Sequence, residues 1–185
     1  LKYKPQSIDV KVINQAYGSL SQKGTLITGA LATELDVEIE HSSPVAEITI
    51  VGHRISENPQ IILEIVEKAK AQASLLGMSM NTNSVILYVS QEKNIDSLFT
   101  EIHNITLNNS ETIAMAVKKD LAFLKTSGVG LEETHGLIGK ISENLRVNEM
   151  NIYGILTITS SILLFVDWSE REKALQLIRN SLRSH

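Results

Sequence analysis

The feature that most constrains the fold of this chain is an internal repeat with a period of about 76 residues. Residues 45–52 align without a gap with residues 121–128, and both segments end in glycine. The helix that follows keeps the same register in both copies, with Ile62, Ile65 and Ala69 aligned to Ile138, Ile141 and Leu145. Because few residues are identical, the repeat rests on the shared pattern of apolar and polar positions.

The first copy predicts a complete ferredoxin-like unit. Residues 46–50 alternate between apolar and polar, which is typical of a half-buried strand. Asn58 precedes a proline and is a candidate N-cap for the first helix. Two strands around residues 81–84, a helix over 95–102 and a strand over 112–117 complete the order β-α-β-β-α-β.

The second copy lacks the fourth strand of that order. Its predicted elements are a strand at 121–126, a helix capped by Thr134, strands at 151–158 and 161–166, and a last helix opened by Ser169 and Glu172 as a capping box. An unpaired sheet edge would then be left, which folded proteins avoid. The N-terminal segment offers a replacement, because residues 8–13 and 24–28 both read as strands.

These patterns predict an α+β fold with two ferredoxin-like units in tandem. We expect one of the two N-terminal strands to complete the second sheet, with residues 34–43 as a connection. The first unit, 44–118, is then inserted in the second unit, which consists of 1–43 plus 119–185.

Composition excludes several classes of function. The formal net charge of -4 argues against a dedicated nucleic-acid binder. The chain has no cysteine, so it has no thiolate metal site or thiol nucleophile, and this agrees with a reducing cytoplasm. No apolar run approaches the roughly 20 residues that a membrane span needs. Because the sequence begins with Leu1 and not with Met, we expect a piece of a longer chain or a trimmed product.

Catalytic and cofactor-binding patterns are absent from the sequence. The five histidines show no metal-ligand spacing. Gly128 and Gly130 lack the third glycine of a dinucleotide fingerprint, and Gly139-Lys140 lacks the Ser or Thr that completes a phosphate loop. We therefore predict no catalytic residue, no metal and no cofactor.

The loops between the first strand and first helix of each unit are the candidate functional segments. They span residues 52–59 and 128–135, and each ends at a helix N-terminus, which favours a carboxylate. The start of the next strand, near 76–81 or 152–157, offers backbone groups for an ammonium. An α-amino acid carries both charges. From the residues alone, an ordinary turn remains the alternative.

Two features together resemble the aspartokinases. A strand that ends in Asn14, a short loop, and then Gly24-Thr25 with two apolar residues are similar to the stretch that joins their catalytic domain to their regulatory region. The repeat itself resembles their tandem ACT domains, in which the first unit is inserted in the second. The resemblance covers nearly all 185 residues.

The loop of the second unit carries a further part of this resemblance. Residues 128–136 are similar to a Gly-x-Gly-Met-x-x-Thr-Pro-Gly loop of the family, with Leu131 in place of Met and His135 in place of Pro. Residues 150–152 resemble the Ile-Asn-Ile that opens the second strand. In the first unit, Asn81 and Thr82 stand where the family has a Ser-Glu pair.

The resemblance implies a regulatory function. Aspartokinases phosphorylate aspartate with ATP at the head of lysine, threonine and methionine synthesis, and their ACT pair binds an end-product amino acid that inhibits the kinase. This chain has no room for the kinase domain, so it would be the regulatory region alone. The implied partners are lysine or threonine, a second copy joined through the ACT domains, and an aspartokinase catalytic domain, with no nucleic acid and no membrane.

The resemblance and the loop chemistry place the effector site in the first unit. Its predicted residues are Arg54, Ser56, Glu57 and Asn58 together with the backbone of Met78, Ser79, Met80 and Asn81. The alternative is an ACT module that only dimerises and binds no ligand. A free-standing enzyme has no support in the sequence.

Overall fold

The computed structural model describes residues 9–14, 16, 19, 21, 23–27, 35–92, 94–128, 131–158 and 161–183. Within these residues, single α-helices alternate along the chain with one or more β-strands. The strands are β1 (Val10–Ile13), β2 (Gly24–Ile27), β3 (Asp36–Ile39), β4 (Val45–Gly52), β5 (Leu75–Asn81), β6 (Ser84–Ser90), β7 (Thr112–Ser127), β8 (Gly154–Ile158) and β9 (Ser161–Asp167). The helices are α1 (Pro59–Gln72), α2 (Ile95–Leu107), α3 (Leu137–Val147) and α4 (Arg171–Arg183), and 3-10 turns lie at Ile55–Glu57, Leu131–Glu133 and Trp168–Glu170.

One long strand, β7, connects the two halves of the molecule. Seven strands pair in the order β5-β6-β4-β7-β9-β8, with β3 also paired to β7. The N-terminal half of β7 pairs with β4, and residues 121–127 pair with β9. We call β5, β6, β4 and the N-terminal half of β7 the first sheet. The second sheet consists of β8, β9, the C-terminal half of β7 and β3.

Each sheet buries one face under two helices. In the first sheet, alternate residues of β4 such as Ile48 and Ile50 pack with apolar residues of α1 and α2. In the second sheet, Leu124 and Leu164 pack with apolar residues of α3 and α4. The alternation seen in the sequence places these side chains on one face because the side-chain period of a strand is two residues.

A third apolar cluster joins the two sheets. It consists of the buried residues Val45, Tyr88, Leu121, Phe123, Leu163 and Phe165. The rings of Tyr88 and Phe165 stack with centroids 3.7 Å apart, and Phe123 stacks on Phe165 at 5.0 Å. Burial raises the pKa of the Tyr88 phenol, and the neighbouring carboxylate of Glu47 raises this pKa further. Tyr88 is therefore a neutral hydrogen-bond donor over the physiological pH range.

The predicted role of the two N-terminal strands is wrong. Both strands form, as β1 and β2, but they pair with each other and not with the second sheet. The first residue of the predicted strand 8–13 and the last residue of the predicted strand 24–28 lie outside the described residues. The strand that joins the second sheet is β3, which lies in the segment predicted as a connection and pairs with β7. Val37 of β3 is fully buried in the core under α4, and Leu35 and Ile39 pack partly buried against the same core. These alternate apolar side chains hold the segment on the second sheet.

Two predicted helix starts are also wrong. Thr134 does not cap α3, which begins at Leu137 after Gly136, whose φ of 73° is left-handed. The last helix is preceded by a 3-10 turn in which the Asp167 carboxylate accepts from the Ser169 N–H at 3.2 Å. An acceptor two residues upstream therefore replaces the predicted capping box. The Asn58 cap is confirmed, because its side chain accepts from the Ile61 N–H.

The attachment of β3 to α4 has an expected pH dependence. The Val37 N–H and the Arg179 guanidinium bind the Asp36 carboxylate at 2.8 and 3.2 Å, and both interactions lower the pKa of Asp36. A lowered folded-state pKa stabilises the fold above the unfolded value, and this contribution is lost as the pH falls through the folded value. We expect Asp36→Asn to be less stable than the parent at neutral pH and to lose less stability below the ordinary pKa of 3.8. Urea unfolding of both proteins at neutral and acid pH measures this, and equal losses would contradict it.

Candidate functional site

The loop between β4 and α1 is held in a defined shape. Arg54 has a left-handed φ of 50°, and the following 3-10 turn inserts Ile55 into the core of the first unit. Asn58 then caps α1, and Pro59 occupies the first helical position. Proline is favoured there because its missing N–H would have no partner in the helix.

This loop is hydrogen-bonded to the turn between β5 and β6. The Arg54 N–H donates to the Asn83 side-chain oxygen at 3.1 Å, and the Ser56 N–H donates to the Thr82 carbonyl at 3.4 Å. The Gly52 N–H donates to the Asn83 carbonyl at 2.9 Å. The loop and the turn therefore form one rigid end of the first sheet. The sequence analysis missed Asn83, although an Asn in a tight turn is a common donor and acceptor for neighbouring backbone.

A polar depression lies beside this loop at the N-terminus of α1. It is lined by Arg54, Glu57, Asn58, Pro59, Gln60 and Glu111, is open to solvent and has a volume of about 510 Å³. Arg54 and Glu57 form an ion pair of 2.7 Å between two largely exposed side chains. Such a volume accommodates an amino acid, since small-molecule pockets enclose ~300–1,000 Å³. Glu111 was not predicted as a site residue. It reaches the depression because β7 pairs with β4, and the sequence alone did not give the register of that pairing.

The structure divides the predicted site residues into two groups. Arg54, Glu57 and Asn58 line the depression, and Ser56 faces the β5–β6 turn. The second group lies on the edge strand β5 and does not line the depression: it consists of Met78, Ser79, Met80 and Asn81. Asn81 closes the turn by accepting from the Asn83 and Ser84 N–H groups at 2.9 and 3.0 Å. The turn links the two groups, because Arg54 and Ser56 are hydrogen-bonded to its residues Asn83 and Thr82.

The second unit has a comparable depression at the N-terminus of α3. Its lining comes from the loop before α3, from the first residues of α3 (Leu137, Ile138 and Gly139), and from Thr157, Ser161 and Ile162 of the adjacent strands β8 and β9. Val129 and Gly130 of the predicted glycine-rich loop lie outside the described residues. Unlike the first depression, this one contacts the strands that follow the helix, and hydroxyl and apolar side chains dominate its strand side.

In the part of the chain that the structure describes, no group of three or more metal-ligating side chains converges. None of the described helices is both long enough and apolar enough to span a membrane. The first depression presents polar side chains and a helix N-terminus. Groups of this kind are able to bind a charged small molecule.

Solved structures that resemble this chain include whole aspartate kinases and regulatory subunits of aspartate kinases. The chain is similar to the aspartate kinase of Clostridium acetobutylicum with 20% identity and a TM-score of 0.68, over 82% of this chain and 35% of that one. It is similar to the regulatory subunit of aspartate kinase from Thermus flavus with 14% identity and a TM-score of 0.63, over 82% of this chain and 99% of that one.

A third similar structure is E. coli aspartokinase III in complex with lysine and aspartate, with 15% identity, a TM-score of 0.60, and coverage of 86% and 36%. No protein-family model matches the sequence. No curated protein matches it either. The chain thus has the fold of aspartokinase regulatory regions, and it spans about a third of the C. acetobutylicum kinase.

The Asn58 cap is expected to contribute to the stability of the fold at the start of α1. Replacing Asn58 with Ala removes the acceptor for the Ile61 N–H, which lies 3.4 Å from the Asn58 side-chain oxygen. We expect a loss of about 1 kcal/mol in the free energy of unfolding, because N-cap residues contribute about that much. Asn58→Asp is the matched control, since aspartate caps equally well. Urea unfolding that shows equal stability for Asn58→Ala and the parent would contradict the cap.

Proposed function

We propose that this chain is the allosteric regulatory region of an aspartokinase. It binds lysine or threonine at the first loop and controls aspartate phosphorylation by a kinase domain outside this sequence. The observation that carries the proposal is the polar depression at the N-terminus of α1, on a fold shared with aspartokinase regulatory regions. The cytoplasm is the compartment that this function requires.

The strand orders support two ferredoxin-like units. Numbered in chain order, the first sheet runs 4-1-3-2 as β7-β4-β6-β5, and the second runs 1-2-4-3 as β3-β7-β9-β8. The second order becomes 4-1-3-2 when β3 is counted as the fourth strand of its unit and β7, β8 and β9 as the first three. We propose that both are ACT units, with the first (44–118) inserted in the second (1–43 plus 119–185). The fourth strand of the second unit then comes from before the insertion, because β3 precedes β4 in the chain. We also propose that a second copy associates through the ACT domains.

The chemistry of the depression suits a free amino acid. The α-carboxylate of the effector would lie at the N-terminus of α1 near Arg54, where the helix dipole and the guanidinium both favour an anion. The predicted ammonium contact with the backbone of Met78 to Asn81 is not part of this proposal, because those residues do not line the depression. Glu57 and Glu111 lie in the same depression and would favour a cationic side chain, which makes lysine the better candidate of the two effectors.

A thermal-shift screen of the purified chain against the common amino acids tests this proposal. A ligand at 100 times its dissociation constant adds about 2.7 kcal/mol, which raises the midpoint by a few degrees. We expect lysine or threonine to give a selective shift. If lysine is the effector, Glu57→Gln should reduce its shift, because an anionic partner of the side chain is lost.

Glu143→Gln is the matched control for Glu57→Gln. Glu143 also pairs with an arginine three residues away, at 2.7 Å from Arg146, and both side chains are largely exposed. It lies on α3, away from the first depression, and should leave the ligand shift unchanged. The alternative is the dimerisation-only module. It would be supported if no amino acid gave a shift, while the chain still unfolded cooperatively and light scattering showed a dimer.

A further inference from the structure

The corner of β7 is the point at which the chain passes from the first sheet to the second. Val45 pairs with Leu121, and the next pair is Glu47 with Lys118, so β7 contains one more residue than β4 across this step. Asp120 lies in that step and has a left-handed φ of 58°. Pairing with β9 begins at the next residue, Leu121. Strands that turn a corner between two packed sheets commonly do so at a bulge of this kind.

A reciprocal pair of hydrogen bonds closes this corner. The Asp120 N–H donates to Gln91 Oε1 at 3.0 Å, and Gln91 Nε2 donates to Asp120 Oδ1 at 3.0 Å. The amide side chain of Gln91 thus replaces the strand partner that the bulged residue lacks. Since an aspartate tolerates the left-handed region better than most residues, the bend and the two bonds are mutually compatible.

Gln91 is itself firmly attached to the first sheet. Its N–H donates to the Pro44 carbonyl at 2.9 Å, next to the start of β4. The preceding Ser90 is fully buried and is hydrogen-bonded to Ser74 through both its N–H and its hydroxyl. Asp120, by contrast, belongs to the strand that continues into the second sheet. The two bonds therefore join a fixed point of one sheet to the bend that leads into the other.

We propose that the Gln91–Asp120 pair is a latch that sets the angle between the first and second sheets. The apolar cluster around Tyr88 and Phe165 holds the sheets together, but apolar contacts have little directionality. Two directional hydrogen bonds at the corner select one arrangement. Opening the latch allows the two halves to turn about residues 119–121. This inference concerns the relation of the two sheets and does not depend on whether either depression binds an effector.

Distance measurements between spin labels test the latch in the full chain. Because the sequence contains no cysteine, Glu67→Cys on α1 and Gln176→Cys on α4 provide two exposed labelling sites, one in each half. In this labelled background we expect a narrow distance distribution. Gln91→Met, which keeps the volume but removes both hydrogen bonds, should widen it. Asp120→Gly, which removes one bonding group and frees the backbone, should widen it further.

Asp120→Asn is the matched control, because asparagine keeps the side-chain acceptor and tolerates the left-handed region. Its distribution should equal that of the parent. The proposal is overturned if Gln91→Met and Asp120→Gly leave the distribution unchanged, since the apolar cluster alone would then fix the angle. It is equally overturned if Asp120→Asn widens the distribution as much as Gln91→Met does.

Discussion

Replacing Gly154 with Ala should destabilise the chain by about 3 kcal/mol, the upper part of the range for overpacking a closed core. A Cβ at this position would overlap the Tyr88 hydroxyl, and it would lie 2.9 Å from Tyr88 Cζ and 3.3 Å from Phe165 Cδ2. Both rings are buried and stack on each other in the cluster between the sheets, so a shift of Tyr88 must also displace Phe165. Urea unfolding of the variant and the parent measures the loss.

Gly139→Ala is the control for this effect. Gly139 lies inside α3, and a Cβ there would meet nothing within 4 Å. We expect it to stabilise the chain by ~0.5–1 kcal/mol, because glycine is a poor helix former. A loss of the same size in both glycine variants would contradict the packing between the sheets that the structure describes.

Phe165→Ala should cost about 3–5 kcal/mol, as truncations of large buried aromatic residues do. Phe165 is fully buried and stacks on both Tyr88 of the first sheet and Phe123 of the second. Its removal leaves a cavity at the point where the two halves meet. Beyond the loss of stability, we expect the two halves to unfold at separate midpoints in calorimetry, since each keeps its own helix-covered core.

Leu107→Ala serves as the comparison for Phe165→Ala. Leu107 is 69% exposed at the end of α2, so its truncation should change stability by less than ~0.5 kcal/mol. A similarly small effect of Phe165→Ala would show that the sheets do not pack through this cluster in solution.

The regular elements of this chain were predictable because their residues alternate with the correct period. The strand at residues 45–52, the Asn58 cap and the repeated helix positions all follow from local pattern. The strand β3 was not predictable in this way, because its place in the second sheet depends on the packing of Val37 in a core that distant elements of the sequence form. The pairing of β1 with β2 was not predictable either, because the alternation within each strand does not specify its partner.

The candidate site was only partly accessible from sequence. Its loop could be placed because a strand, a turn and a helix cap follow one another within a few residues. Glu111 and Asn83 could not be placed, since they reach the loop through strand pairing across the sheet. The corner at Asp120 was also missed, because a bulge and a side-chain partner 29 residues away leave no local pattern. The predicted effector residues stay a prediction.

Titration of the isotope-labelled chain with lysine and with threonine, followed by amide chemical shifts, tests the central claim most directly. If the chain binds an amino-acid effector at the first loop, the shifts will concentrate on residues 52–60 and 78–83 and will saturate with one of the two ligands. Shifts confined to residues 131–139, or none up to millimolar concentrations of both ligands, would contradict an effector site in the first unit.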